Sequence, residues 1–158
     1  MSTHLYSRRK FLLAASALWL TLAVPAANAQ NREIHVLKDP NCGCCSAWVA
    51  VMQKAGFKVT VETIDAIELD RYKRENGIPE NLFSCHTARI DGYLIEGHVP
   101  AADIVRLLDE RRDAIGLSAP GMPTGAPGMG SEADREAYDV VLFGKNGKTE
   151  IFSHYDAA

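Results

Sequence analysis

The sequence lacks an apolar run long enough to cross a bilayer: the N-terminal stretch from Phe11 to Val24 has 14 residues, against the roughly 20 that a spanning helix needs. An excess of positive charge is missing too, with 17 lysines and arginines against 20 aspartates and glutamates. That balance argues against nucleic acid as a partner, since its binding needs a positive surface. No Ser/His/Asp set, glycine-rich phosphate loop or paired-carboxylate site stands out, and the acidic residues read as solvated faces. Cysteine is scarce, and the four that occur are Cys42, Cys44, Cys45 and Cys85.

The first residues read as a leader. Arg8-Arg9-Lys10 precedes the apolar run, which ends in small residues at Ala27-Asn28-Ala29, an A-x-A cleavage signal. Residues 1–29 are therefore expected to be a signal peptide. Arg8-Arg9 before Phe11-Leu12 matches the twin-arginine export type; an ordinary signal carrying two arginines is the alternative. Cleavage after Ala29 leaves residues 30–158 as one domain in an exported, periplasmic protein with no membrane segment. Losing three basic residues leaves 14 against 20 acidic ones, a formal charge of −6.

Patterning along the domain predicts an α/β fold. Strands are expected over 33–38, 58–64, 86–90, 93–96, 139–143 and 148–152, and helices from Cys44 to about Ala55, from Asp65 to Asn76 and from Pro100 to Arg112. In the first helix Trp48, Val51, Met52 and Ala55 form the apolar stripe, and in the third Ala101, Ile104, Val105 and Leu108 do so. Asp91-Gly92 and Asn146-Gly147 mark hairpin turns. Gly116 to Gly130, rich in Gly, Pro and Ala, reads as a loop holding Pro-Gly-Met twice. A βαβα order followed by ββα implies a parallel pair with a right-handed crossover. The expected plan is thioredoxin-like, a central mixed sheet flanked by helices, with a C-terminal β-hairpin.

Cys42-Gly43-Cys44-Cys45 carries the chemistry. It holds a C-x-x-C, in Cys42 and Cys45, at a helix start, where the helix field favours thiolate. Thiolate is both a nucleophile for disulfide exchange and a ligand for soft metals. Two sulfurs serve a disulfide oxidoreductase, and a third beside them invites scrambling. A single structural zinc wants four ligands in a tetrahedron, whereas Cys44 and Cys45 lie about 100° apart around a helix. Divergent thiolates instead suit several bridged Cu(I) ions, which favour thiolate and thioether. Two structural disulfides remain an open alternative.

Cys85 is expected to face the cysteine turn and complete a four-sulfur set. His86 alternates away from it if both residues are extended. Met122 and Met129 are candidate thioether ligands in a loop that folds over the site, while Met52 and Trp48 read as packing. His98, beside Pro100 at a helix start, is either a ligand or a cap. Neither His35 nor His154 is assigned a role.

With these residues assembled, the chain resembles the CopG-type family of periplasmic copper-resistance proteins. The resemblance rests on Lys38-Asp39-Pro40-Asn41-Cys42-Gly43-Cys44-Cys45, on Ser84-Cys85-His86-Thr87-Ala88, on the stretch from Gly92 to Ile104 and on Pro120-Gly121-Met122-Pro123. It implies a thioredoxin-like fold, a cysteine-bridged cluster of several copper ions and a role in copper tolerance, by interconversion of Cu(I) and Cu(II) or by sequestration alone. Cys42, Cys44, Cys45 and Cys85 carry over as sulfur ligands, with His86 and Met122 beside them. The expected partners are copper ions and other periplasmic copper-handling proteins. The competing enzyme reading is a thiol–disulfide oxidoreductase using Cys42 as nucleophile and Cys45 as resolving thiol.

Overall fold

Apolar residues at alternate positions start the fold, with Ile34 and Val36 fully buried on one face of strand β1 (Glu33–Lys38). A computed structural model describes residues 32–158; the leader read from residues 1–29 lies outside them. After β1 come α1 (Gly43–Lys54), β2 (Lys58–Thr63), α2 (Ala66–Glu75), β3 (His86–Ile90), β4 (Tyr93–Gly97), α3 (Ala101–Glu110), β5 (Gly116–Ala119), β6 (Tyr138–Phe143) and β7 (Thr149–Tyr155). Among the described residues, the seven strands make one sheet in the order β2-β1-β3-β4-β5-β6-β7. The β1–β2 and β4–β5 pairs are parallel and the other four antiparallel, so the sheet is mixed.

Local chemistry accounts for the element ends. Cys42 caps α1, its sulfur accepting from the Cys45 N–H, and Gly56 at φ +91 lets the chain leave that helix. Asp65 caps α2 through the Glu68 N–H at 2.8 Å. Both hairpin turns have positive φ at both central residues, +46 and +87 at Asp91-Gly92 and +69 and +70 at Asn146-Gly147, which is the geometry that matches strand twist. The C-terminal hairpin forms as expected, with β7 running on to Tyr155.

Side chains on the two faces of the sheet divide the core. Ile95 joins Trp48, Val49 and Met52 of α1 and Ile104, Leu107 and Leu108 of α3 in the main cluster, while Leu94, one residue away, packs with Ile78, Leu82 and Phe143. Val49 and Leu107 take the buried positions that the pattern gave to Ala55 and Ala101. Burial of a large apolar side chain contributes about 1.5–3 kcal/mol, so the Trp48 and Leu107 layers fix how α1 and α3 seat.

The stretch read as one loop over 116–130 begins instead as a strand. All four residues of β5 are buried between β4 and β6. Gly-Leu-Ser-Ala holds no β-branched or aromatic residue, so intrinsic preference gives no signal. Its neighbours hold it: the Ser118 hydroxyl donates to the Leu82 carbonyl at 2.6 Å, and Gly116 lies so close to the Leu94 backbone that a Cβ there would collide with it. No described helix is long and apolar enough to cross a membrane.

Candidate metal centre

The β1 strand delivers the cysteine turn. Asp39 folds the chain back, its carboxylate accepting from the Asn41 N–H at 2.8 Å and its carbonyl from the Cys42 N–H at 3.1 Å. β3 runs antiparallel beside β1 with His86 paired to Lys38, which puts the segment preceding β3 next to the same turn. Cys85 thereby meets the motif, as expected. Cys44 Sγ stands 3.5 Å from Cys42 Sγ and 3.7 Å from Cys85 Sγ.

All four sulfurs lie within 4.8 Å of one another. Cys44 and Cys45 therefore do not diverge as their angle around the helix implies. Side chains in a first helical turn lean toward the N-terminus, and there the sulfurs close over the helix end instead of fanning out around it. Cys42 and Cys45 are joined in a disulfide with their Cα atoms 5.4 Å apart, while Cys44 and Cys85 carry free thiols. One of the two bonds in the structural-disulfide alternative is thus present.

The condition under which His86 would turn away from Cys85 is not met. The chain bends at Cys85, so strand alternation does not begin until His86. Its ring is fully buried, with Nδ1 3.5 Å from Cys85 Sγ and the ring centroid 4.6 Å from Trp48. Its Nε2 is buried with no hydrogen-bond partner, which is unusual for a buried polar atom. Trp48 packs beneath the motif, its indole N–H donating to the Val99 carbonyl at 2.9 Å.

His98 is the residue whose role the sequence left undecided. It caps nothing, since Pro100 is the α3 cap and makes no side-chain bond. The His98 Nε2 stands 3.1 Å from Cys85 Sγ and its Nδ1 2.8 Å from the Pro127 carbonyl. A carbonyl only accepts, so Nδ1 carries the proton and the Nε2 lone pair faces the sulfur. Fixing an imidazole tautomer from behind is how metal-binding histidines are usually oriented. Cys85, His86 and His98 form a second group of ligand atoms within 4.8 Å. The strand order held a signal for it: Gly97-His98-Val99-Pro100 leaves β4 at the end where β3 begins.

The electrostatics follow from burial. Desolvation, then the neighbouring Cys44, pushes the Cys85 thiol up to about 12, so a cation there must displace its proton. Burial also lowers both His98 and, well below the usual imidazole range, His86, where His98, Lys73 and Lys38 add to the effect. In both, the lowering favours the neutral ring, the form that ligation requires.

The loop after β5 folds across this centre. Its near end is tied by the Gly121 N–H to the Phe83 carbonyl at 3.0 Å and by the Ser84 hydroxyl to the Gly121 carbonyl. Farther on, Gly128 sits against the α1 backbone, where a Cβ would lie 2.6 Å from Trp48 N. Met122 directly follows Gly121, whose carbonyl takes the Ser84 hydroxyl, and is 58 % exposed. Met129 is half-buried, and Met52 lies in the core as expected. His35 pairs with Thr60 and Glu62, and His154 with Asp139 and Asp156, away from the sulfurs.

Comparison with solved structures supplies the relationship. The chain is 43 % identical to a structure titled "Copper resistance protein copG- Form 2", over 78 % of this chain and 97 % of that one, with a TM-score of 0.72. It belongs to the CopG family of copper resistance proteins. A second CopG structure, "Form 1", matches at 42 % identity over 79 % of this chain and 98 % of that one, with a TM-score of 0.73. The domain family described as "Protein of unknown function, DUF411" matches residues 82–129. That range takes in Cys85, His86, His98 and Met122 and stops short of the cysteines at α1. No curated protein sequence matches the chain.

Proposed function

We propose that this chain is an exported copper-binding protein of copper resistance, holding copper through Cys42, Cys44, Cys45 and Cys85, with His86 and His98 completing the site and Met122 at its rim. One observation carries the reading: the Cys85 sulfur belongs to both ligand groups. A shared thiolate is the natural bridge between metal ions, and four sulfurs with two imidazoles are more donors than one ion in a trigonal or tetrahedral site takes. We therefore read the site as polynuclear. Thiolates favour Cu(I) and imidazoles tolerate Cu(II), which supports interconversion of the two states. The fold we read as thioredoxin-like. The order β2-β1-β3-β4 with β3 antiparallel, and a cysteine motif at the first strand–helix junction, support this.

Copper can use Cys42 and Cys45 once their disulfide is opened, two electrons and two protons from a dithiol reductant yielding two thiols. The disulfide itself favours a second reading, thiol–disulfide exchange at Cys42 and Cys45 without metal. Anaerobic loading of the reduced protein with Cu(I), read by metal analysis and X-ray absorption, separates the two. Copper binding predicts more than one ion per chain, Cu–S scattering with a short metal–metal distance, and a sharp fall in stoichiometry for Cys44→Ser. Uptake of a single ion at most, or preference for zinc, refutes it. Turnover of a model disulfide by the metal-free protein supports the second reading.

A further inference from the structure

A buried ion pair with no part in the ligand set lies directly behind Cys85. Lys73 of α2 and Glu96 of β4 are 1 % and 0 % exposed, and their charged atoms meet at 2.6 Å. Each also grips the backbone that carries Cys85. Glu96 Oε1 accepts from the Ser84 N–H at 2.7 Å, Lys73 Nζ donates to the Ser84 carbonyl at 2.5 Å, and Glu96 Oε2 accepts from the Thr87 hydroxyl at 2.6 Å. The segment from Ser84 to Thr87 is therefore clamped at both ends, with Cys85 and His86 between the grips. Ser84 is also the residue whose hydroxyl ties down the loop at Gly121.

Packing alone gives little reason for this pair. A buried ion pair gains little net stability over apolar residues of the same shape, because both charges must leave water. What it supplies here is direction. Ser84 is held through its N–H and through its carbonyl, one on each of the two peptide units that flank it, which opposes rotation at the bend where Cys85 precedes the β3 register. That rotation would swing the Cys85 sulfur away from its position 3.7 Å from Cys44 Sγ and 3.1 Å from His98 Nε2.

We propose that Lys73 and Glu96 are positioning residues for Cys85, the pair that aims its sulfur at the place where the two ligand groups meet. This rests on the reading of Cys85 as the shared copper ligand, and the test has one arm that does not. Lys73→Met alone strands a buried carboxylate and endangers folding. The informative variant is Lys73→Met with Glu96→Gln, which leaves no buried charge, keeps an amide to pair with the Ser84 N–H and Thr87, and releases the Ser84 carbonyl.

The first arm uses no metal. In a Cys44→Ser background with the Cys42–Cys45 disulfide intact, Cys85 carries the one free thiol, and its alkylation by iodoacetamide is timed. Release of the segment is expected to speed alkylation about tenfold, in line with the ~10–100-fold effects of removing groups that orient a ligand. The second arm measures Cu(I) affinity by chelator competition, and the double substitution is expected to weaken it by about 10–100-fold. In a Cys85→Ser background the same substitutions should cost clearly less, only what the release of His86 takes, whereas a merely structural role would lower affinity equally in both. A folded variant with alkylation within about twofold of its parent, or an equal loss of copper in both backgrounds, overturns the proposal. If Cys85→Ser itself leaves copper binding intact, the copper reading fails, and the alkylation arm still decides the positioning role.

Discussion

Gly128 tests whether the loop is seated on the cysteine helix or merely lies near it. Its φ is +83, and an added Cβ would stand 2.6 Å from Trp48 N, 3.0 Å from Ala47 C and 3.0 Å from Trp48 Cα. All three neighbours are helix backbone, which cannot swing aside as a side chain would. Gly128→Ala thus meets two penalties, a left-handed backbone worth about 1–2 kcal/mol and a collision worth about 1–3 kcal/mol. The loop can escape the collision by lifting. It then gives up the Pro127 carbonyl on His98 Nδ1, at a cost of about 1 kcal/mol for the bond and more for the stranded imidazole. Either route predicts a loss of about 2–5 kcal/mol out of the 5–15 typical of a domain, which at about 2 kcal/mol per molar urea lowers the midpoint by about 1–2.5 M. Gly130 supplies the control: its φ is +95, and nothing lies within 4 Å of an added Cβ. Gly130→Ala should therefore show the backbone penalty alone. Urea unfolding of both metal-free variants gives the difference, and equal losses would refute the idea that the loop is packed on α1.

Trp48→Phe keeps an aromatic ring near His86 but removes the donor to the Val99 carbonyl. The stranded carbonyl and the vacated volume should together lower stability by about 2–4 kcal/mol, read as a shift in the urea midpoint at unchanged slope; a loss under about 1 kcal/mol would mean that the bond is replaced by water. On the C-terminal hairpin, the hydrogen bond to Asp139 raises the His154 pKa above its ordinary range. A raised folded value makes the contribution of this pair fully present below about pH 6.5, the unfolded histidine value, and lost as pH rises through the folded one. Following the His154 ring protons by NMR should give a raised midpoint that falls in Asp139→Asn, with Asp156 keeping part of the rise, and falls with added salt; a midpoint unmoved by that substitution would exclude the Asp139 pair as its main cause.

How much of this was legible in the sequence depends on how far apart in the chain the deciding groups lie. The cysteine turn, the α2 cap at Asp65 and both Gly-containing hairpin turns are set by neighbours within a few residues, and each forms where the sequence says. The order of the first elements follows as well, since a strand, helix and strand in succession leave few ways to pair. β5 escaped because Gly-Leu-Ser-Ala has no strand preference of its own; β4 and β6 make it a strand. For His86 the alternation rule turns the ring away only if Cys85 is extended, and the bend at Cys85 removes that condition. His98 becomes a site residue through Cys85, 13 positions away, and Pro127, 29 positions away. Lys73 and Glu96 are the extreme case. Within Arg71-Tyr72-Lys73-Arg74-Glu75 a lysine reads as one more solvated charge on a helix, and nothing near it names a partner 23 residues on. Which cysteines are candidate donors at this centre is thus largely local information, carried by the motif. Their aim is not: the groups that hold Cys85 and His98 in place come from α2, β4 and the loop after β5, and they become visible when those elements meet.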